Sequence, residues 1–418
     1  MFNASLLRNT LAWHPRFLST AVEAGLKASA LRITKADALK PLVPNQDLIF
    51  GQTFTDHMLS VEWAAGQGWA APEIKPYQKL QLSPSAVVFH YSFECFEGMK
   101  AYKDKNGKIR LFRPKLNMAR FNTSAERIAL PVCIFELTNF QKLIQLLEGL
   151  TNLHPYSQQF DGAELLELIK TFVKTESRWI PTERGYSLYL RPTMIGTQEF
   201  LGVNPSNKAL LFVIACPVGP YYKTGFKAVS LYATTDFVRA WPNGTGGNKI
   251  GGNYAIAIKP QLLAAKQGYQ QNLWLFGEDH QLTEVGTMNC FVLWKNEAGE
   301  LELVTPPLDG SILPGVTRDS ILGLARGWGE FKVSERNVTM PQVKEAVKQG
   351  RMVEMFGAGT ACIVSPIKKI RYLDEDLDIP LDPKDPTAQA GPWAKRFNDT
   401  ILDIQIGDLE HEWSVVVD

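Results

Sequence analysis

The chain lacks the patterns that mark disulfide-framed, zinc and membrane proteins. Its five cysteines (Cys95, Cys133, Cys216, Cys290 and Cys362) are odd in number, and no pair stands in a C-x-x-C spacing. Neither a disulfide framework nor a thiolate zinc site is indicated, which suits a reducing compartment. Six histidines are scattered without an H-E-x-x-H motif or any close pairing, so no metal is expected. No apolar run approaches the roughly 20 residues that span a bilayer. Excess charge is missing too: 44 Lys and Arg stand against 43 Asp and Glu, a net charge of +1, so no global field favours nucleic acid or an anionic membrane. An anionic ligand has to be captured locally.

What is present is an ordinary globular composition, 45% hydrophobic and 21% charged over 418 residues, more than one compact core usually holds. Two domains are expected. The first residues, MFNASLLRNTLAWHPRFLSTAVEAG, carry Arg8 and Arg16, several Ser and Thr, and no acidic residue before Glu23. That is the composition of a mitochondrial transit peptide, with RFLS, ending at Ser19, as a processing point; a fraying tail is the other reading. Residues 1–40 are assigned to this leader and a flexible N-terminus. Farther on, VVFHYSF, KIRLFRP, YSLYLRPTMIG and ALLFVIACPV read as strands, with KLNMARFNTSAERIAL, FELTNFQKLIQLLEGL and AELLELIKTFVKT as helices. This mixed α/β domain spans 41–217. A Gly- and Pro-marked loop over 218–228 leads to a second domain, 229–418, which contains KAVSLYATT, NLWLFG, NCFVLWK, ELELVT and the helix TRDSILGLARGW.

The stretch GGNKIGGNY sets Lys249 between two glycine pairs. Three readings compete: a phosphate-gripping loop, a surface turn, or a lysine kept clear of neighbours so that its amine can react. A Walker loop needs Gly-Lys-[Ser/Thr], but Asn248 precedes and Ile250 follows. The G-x-G-x-x-G pattern fails as well, because Lys249 stands where the third glycine belongs. The turn remains possible for an isolated lysine, but three features lie downstream. Glu284 in QLTEVGTMNCFVLW is a carboxylate entering an apolar strand, where it needs a partner. Gly315-Val316-Thr317 opens a helix, whose free N–H groups form an anion site. FGAGTACIV supplies another glycine-flanked turn at Gly357, Gly359 and Thr360. Amine, buried carboxylate and anion cradle are the contacts that pyridoxal 5'-phosphate needs.

Taken with HYSFECFEGMKAY, RLFRPKLNMARF, SLYLRP, LFVIACPVGPYY, ILPGVTRDSIL and the C-terminal HEWSV, these motifs resemble, in order and spacing, the branched-chain amino acid aminotransferases, fold-type IV pyridoxal-phosphate enzymes. The resemblance covers nearly the whole chain. It implies transfer of the amino group between leucine, isoleucine or valine and 2-oxoglutarate, giving glutamate. Lys249 would form the Schiff base, Glu284 would partner the pyridine nitrogen and Tyr254 the phenolic oxygen. Arg120, with the backbone at Val316, Thr317 and Thr360, would hold the phosphate. The substrate carboxylate would lie at Thr360-Ala361, assisted by Tyr91, and its side chain would meet Phe50, Phe96, Tyr189, Tyr221 and Thr287. Arg191 could receive the glutamate γ-carboxylate. A homodimer in the mitochondrial matrix is implied, with Tyr91 and the loop at Leu201-Gly202-Val203 crossing to the neighbour. The runners-up are a D-amino acid aminotransferase, an aminodeoxychorismate lyase and an inactive matrix scaffold. Where the family's mammalian members resemble GTACxxCP, Ser365 replaces the second cysteine here, which makes thiol switching doubtful.

Overall fold

Several apolar runs in this chain, such as Met288–Lys295, are strands buried on both faces. The computed structural model describes residues 24–131, 161–220 and 226–417, most of them arranged in two sheets. The first sheet contains β1 (Arg32–Ile33), β2 (His57–Ala64), β3 (Gly68–Trp69), β4 (Glu73–Pro76), β5 (Glu94–Phe96), β6 (Met99–Lys103), β7 (Ile109–Phe112), β8 (Ser187–Gly196) and β9 (Lys208–Val218). The second contains β10 (Val229–Thr234), β11 (Gln271–Phe276), β12 (Gln281–Val285), β13 (Met288–Lys295), β14 (Leu301–Thr305), β15 (Lys332–Glu335), β16 (Met352–Gly359), β17 (Ile363–Tyr372) and β18 (Glu375–Asp378). The last strand, β19 (Ser414–Val417), returns to the first sheet and pairs with β7.

In the first sheet the order is β1-β4-β2-β9-β8-β6-β7-β19, with β5 on the flank of β8. Strand alternation divides its residues between two environments. Leu188, Leu190 and Met194 of β8, Cys95 of β5, and Met99 and Ala101 of β6 join one core, which includes Phe121 of the helix Pro114–Arg127 and Leu165, Ile169 and Phe172 of the helix Gly162–Thr175. The intervening residues, Tyr189 and Arg191, Glu94 and Phe96, and Lys100, project from the opposite face. A one-residue slip would exchange the two sets.

The second sheet runs β12-β11-β10-β17-β16-β13-β14-β15, and an additional β12–β13 pairing closes six of these strands into a ring. Closure leaves those six without a free edge. Cys290, Val292 and Trp294 of β13 pack with Leu231, Leu273 and Ile367 in one cluster. Phe291 and Leu293 pack outward with Phe356 and with Ile321, Phe397 and Ile401 of the helices Val316–Trp328 and Pro392–Ile406. Because both faces of β13 are covered, its sequence is a continuous apolar run.

The expected strand VVFHYSF is a correction: Val87–Tyr91 is a short helix, and only Glu94–Phe96 pairs as a strand. β8 ends at Gly196, one residue past Ile195, the partner of Glu94. Residues upstream have no strand left to join, and Ser92 turns the chain at φ 52°. The helix expected at 135–150, Cys133, Tyr221 and the leader residues Arg8, Arg16 and Ser19 lie outside the described residues.

The two-residue turn between β12 and β13 requires positive φ at its first position, which Gly286 supplies at 58°. A Cβ there would also come within 2.2 Å of Gln271 Oε1. Gly286→Ala is expected to destabilise the chain by about 2–4 kcal/mol, combining left-handed strain with overpacking. Denaturant unfolding of the two proteins measures it.

Candidate active site

Lys249 has a main chain held on both sides and a side chain that reaches into a cavity. Its N–H donates to Ser124 Oγ at 2.8 Å, and its carbonyl accepts from the Phe96 N–H at 3.0 Å. Glycines make the approach possible. A Cβ on Gly246 would lie 2.4 Å from the Ser311 carbonyl oxygen, and the Gly247 N–H donates to the Gly310 carbonyl at 2.8 Å. The loop therefore packs backbone to backbone against residues 310–311, which is incompatible with an ordinary surface turn. The side chain extends into a cavity of about 560 Å³, within the usual range for small ligands. There Lys249 Nζ donates to Tyr254 Oη at 2.9 Å and lies 4.8 Å from the centre of the Phe96 ring.

Glu284 is 2% exposed on β12. Arg239 Nε donates to Glu284 Oε2 at 2.9 Å, while the Leu313 N–H donates to Oε1 at 2.8 Å. Burial pushes this carboxyl above the usual carboxylate range, opposed by Arg239, the Leu313 N–H, Lys249 and Arg120 in that order. The partner demanded by the buried carboxylate is thus Arg239, itself buried and donating from Nη1 to the Ser311 carbonyl at 3.0 Å. The sequence reading did not identify it. The signal available was an arginine in the aromatic segment FVRAWP shortly before the lysine loop.

On the far wall, the helix Val316–Trp328 begins at Gly315 with no side-chain cap, so its first N–H groups are free to meet an anion. Gly315, Val316, Thr317 and Thr360 all line the cavity. A Cβ on Gly315 would meet Asn289 Oδ1 at 2.1 Å, which keeps this approach closed to larger residues. Arg120 lines the same wall but is not free. Its Nε and Nη2 donate to the two Glu97 oxygens at 2.7 and 2.8 Å, and Nη1 donates to the Pro314 carbonyl at 3.0 Å. Glu97, fully buried and absent from the expected set, holds the guanidinium with two of its five N–H groups still available. An uncapped helix start beside a guanidinium, an amine across the cavity and a buried carboxylate behind it form a donor set that fits pyridoxal phosphate.

Opposite that wall, Phe50, Phe96, Tyr189 and Thr287 line the cavity, with Ala361 beside Thr360. Arg191 sits among them, 4.7 Å above the Phe96 ring and 5.3 Å above that of Tyr189, and its Nη2 donates to Tyr189 Oη at 3.1 Å. Its Nε is buried without a hydrogen-bond partner, and Arg191 has no salt bridge among the described residues. Glu94, which the sequence reading missed, lines the same space. Its carboxyl is pushed up by burial and drawn back by Arg191. Tyr91 is outside this cavity: 38% exposed, its hydroxyl donates to the Leu201 carbonyl. Burial pushes the Cys362 thiol up to about 11, and Ser365 is buried on β17, so a reactive thiolate is disfavoured there.

A sequence profile described as amino-transferase class IV matches residues 94–370. The chain is 53% identical over 392 residues to the branched-chain-amino-acid aminotransferase of Monosiga brevicollis, covering 94% of this chain and 93% of that one. It is 51% identical over 399 residues to the cytosolic branched-chain-amino-acid aminotransferase of Saccharomyces cerevisiae, covering 94% and 98%. A mitochondrial protein of that name occurs at 49% identity in the same organism. A solved structure, the branched-chain amino acid aminotransferase from Thermobaculum terrenum in its PLP form, superposes with a TM-score of 0.59 at 20% identity, covering 86% and 98%.

Removing one member of the buried Glu284–Arg239 pair leaves the other charge stranded. Arg239→Met is expected to cost about 3–5 kcal/mol in stability, and adding Glu284→Gln should recover part of it. Denaturant unfolding of both variants tests the coupling.

Proposed function

The chain belongs to the branched-chain-amino-acid aminotransferases of class IV, and we propose that its residues divide the transfer of an amino group between leucine, isoleucine or valine and 2-oxoglutarate as follows. Bound pyridoxal phosphate supplies an aldehyde carbon that accepts the amino group and a ring that takes up the electrons released at the substrate Cα. The phosphate is held by the N–H groups of Val316 and Thr317, by Thr360 and by the free N–H groups of Arg120. Glu284 holds the proton on the pyridine nitrogen, because an anion there favours the charged form. Lys249 Nζ would take the proton from the substrate Cα and deliver it to the cofactor carbon that has received the amino group, which is general acid–base work. The fixed main chain of Lys249 gives that amine a constant origin, and the Tyr254 hydroxyl, 2.9 Å from Nζ, would face the phenolic oxygen of the cofactor.

The substrate α-carboxylate lies at the Thr360-Ala361 turn, and the branched side chain meets Phe50, Phe96, Tyr189, Tyr221 and Thr287. The observation that carries the dual use of one pocket is Arg191, a cation stacked on aromatic rings with a buried Nε and, among the described residues, no salt bridge, Glu94 being the acid that acts on it from within the cavity. Its rings provide an apolar wall for leucine, and its guanidinium receives the γ-carboxylate of glutamate. The relatives carry the branched-chain name, and nothing favours a D-amino acid aminotransferase, an aminodeoxychorismate lyase or an inactive scaffold.

The two domains are placed at 41–217 and 229–418, joined through 218–228, with β1 and β19 from outside the first range completing the first sheet. Residues 1–40 contain a transit peptide for the mitochondrial matrix, supported by their Arg- and Ser-bearing, acid-poor start. The enzyme is a homodimer in which Tyr91 and the loop after β8 reach the neighbouring site. Leu201 and Val203 are 63% and 72% exposed, and Phe89 and Phe200 add to the same apolar surface, which a monomer would leave in water.

Lys249→Ala is expected to abolish transamination without unfolding the protein, and a variant that kept substantial turnover would sink the assignment. Arg191→Met should raise KM for glutamate and 2-oxoglutarate tenfold or more, about 1.4 kcal/mol, while leaving KM for leucine within a few-fold; initial-rate kinetics separate the two. Mixing Lys249→Ala with Tyr91→Ala subunits should regenerate activity if sites are shared between protomers. A fully active monomer in sedimentation would rule the shared site out.

A further inference from the structure

Lys100 is a buried charge to which the assignments above give no task. It is 7% exposed on β6, opposite Tyr189 of β8, and so projects from the cavity face of the first sheet while its neighbours Met99 and Ala101 enter the core. Nζ donates to the Ala361 carbonyl at 2.9 Å, a bond from the first sheet to the turn between β16 and β17 of the second. Among the described residues it has no salt bridge. Buried ammonium groups are normally paired, since an uncompensated charge is costly. One carbonyl is poor compensation, and its position is informative: the Ala361 carbonyl belongs to the turn that lies against the active-site cavity.

A trans peptide sets its C=O and N–H in opposite directions. Binding the Ala361 carbonyl therefore holds the Ala361–Cys362 peptide in one orientation, with the Cys362 N–H facing away from Lys100. A small cavity beside the lysine is bounded by Ala361 and Cys362, and a second by Thr317 and Thr360. The ammonium thus lies immediately behind the turn on one side and near the helix start on the other.

We propose that Lys100 is a positioning residue for the substrate α-carboxylate, locking the Thr360–Cys362 turn through the Ala361 carbonyl and providing the positive charge that a bound carboxylate balances. This rests on the reading that the α-carboxylate occupies that turn. Lys100 would then matter equally for branched-chain and dicarboxylic substrates, unlike Arg191, which serves only the second.

Burial draws the Lys100 ammonium down to about 8, while Cys362 opposes the shift. The other titratable groups facing it are Tyr102 on its own strand, Tyr189 on β8 and Lys227 across the adjoining cavity; Asn398 and Gln405, from the helix Pro392–Ile406, are neutral. In the free enzyme Lys100 is charged below about pH 8 and loses its proton above it. A bound carboxylate favours the charged form, so above that pH each substrate bound brings one proton back, and KM rises by up to about tenfold per pH unit.

The test uses the holoenzyme with leucine and with glutamate across about pH 6.5 to 9.5. Lys100→Met is expected to raise KM for both substrates by about tenfold at pH 7 with a smaller change in kcat, and to remove the alkaline rise. Lys100→Arg, whose charge persists throughout this range, should keep KM low at high pH. Binding of 4-methylpentanoate, a carboxylate with no amine, followed by titration of the cofactor absorbance, should weaken in parallel in Lys100→Met. Unchanged KM values in Lys100→Met, or a rise confined to glutamate, overturn the proposal. Should that variant not fold, a KM that still climbs above pH 8 in Lys100→Arg overturns it instead. Ala361→Pro, which removes an N–H from the turn, separates the two levels. If it raises every KM and Lys100→Met does not, only the role of Lys100 falls; if it leaves them all unchanged, the carboxylate site falls as well.

Discussion

Two hydrogen bonds on the main chain of Lys249 join the halves of this molecule into one site. Ser124 belongs to a helix on the first sheet and Phe96 to β5 of that sheet. The glycines around the lysine press against residues 310–311, just ahead of the helix that opens the second wall. A reacting amine, the role proposed for Lys249, needs a fixed origin, since misplacement by about 1 Å costs heavily in rate. The anchored backbone supplies that origin, and among the described residues the side chain forms no salt bridge. The glycines are required for close approach of backbones, and the freedom of the lysine follows from that packing.

Buried charges here fall into two groups. Glu284 with Arg239, and Glu97 with Arg120, are paired, and Arg120 lines the cavity. Each pair fixes a carboxylate or a guanidinium in one orientation, which is the usual condition for keeping charge away from water. Arg191 and Lys100 are different: both are largely removed from solvent, both have aromatic or carbonyl neighbours, and neither forms a salt bridge among the described residues. In the proposed reading the paired charges preorganise the side that would hold the cofactor. On the same reading Arg191 and Lys100 are where a substrate carrying one or two carboxylates would complete the electrostatics, so that one pocket could take both leucine and glutamate.

Strand alternation distributes these parts. On β8 the even-numbered residues Leu188, Leu190 and Met194 enter the core, and the odd-numbered Tyr189 and Arg191 reach the cavity. β5 and β6 follow the same rule. The site is therefore one face of the first sheet set against a turn, a hairpin and a helix start of the second, and the closed ring of strands gives that second half its rigidity.

Much of this was legible in the residues. Lys249 between glycines, Glu284 ahead of an apolar strand and Gly315 at a helix start are local patterns with local physical causes, and most of the strands and helices follow their apolar periodicity. The exceptions are equally instructive. Val87–Tyr91 has strand-like composition but folds as a helix because β8 ends before it can offer a partner; pairing is a property of the sheet, which no local window contains. Arg239, Glu97, Glu94 and Lys100 went unseen for the same reason. Each acquires its meaning from a residue 20 or more positions away, as Lys100 does from Ala361, 261 residues along the chain. By itself the sequence determined the reactive types and the local backbone that presents them. Only the tertiary structure decided which charges are paired, which are left open and which way each side chain faces, because burial and pairing energies depend on neighbours brought together by folding.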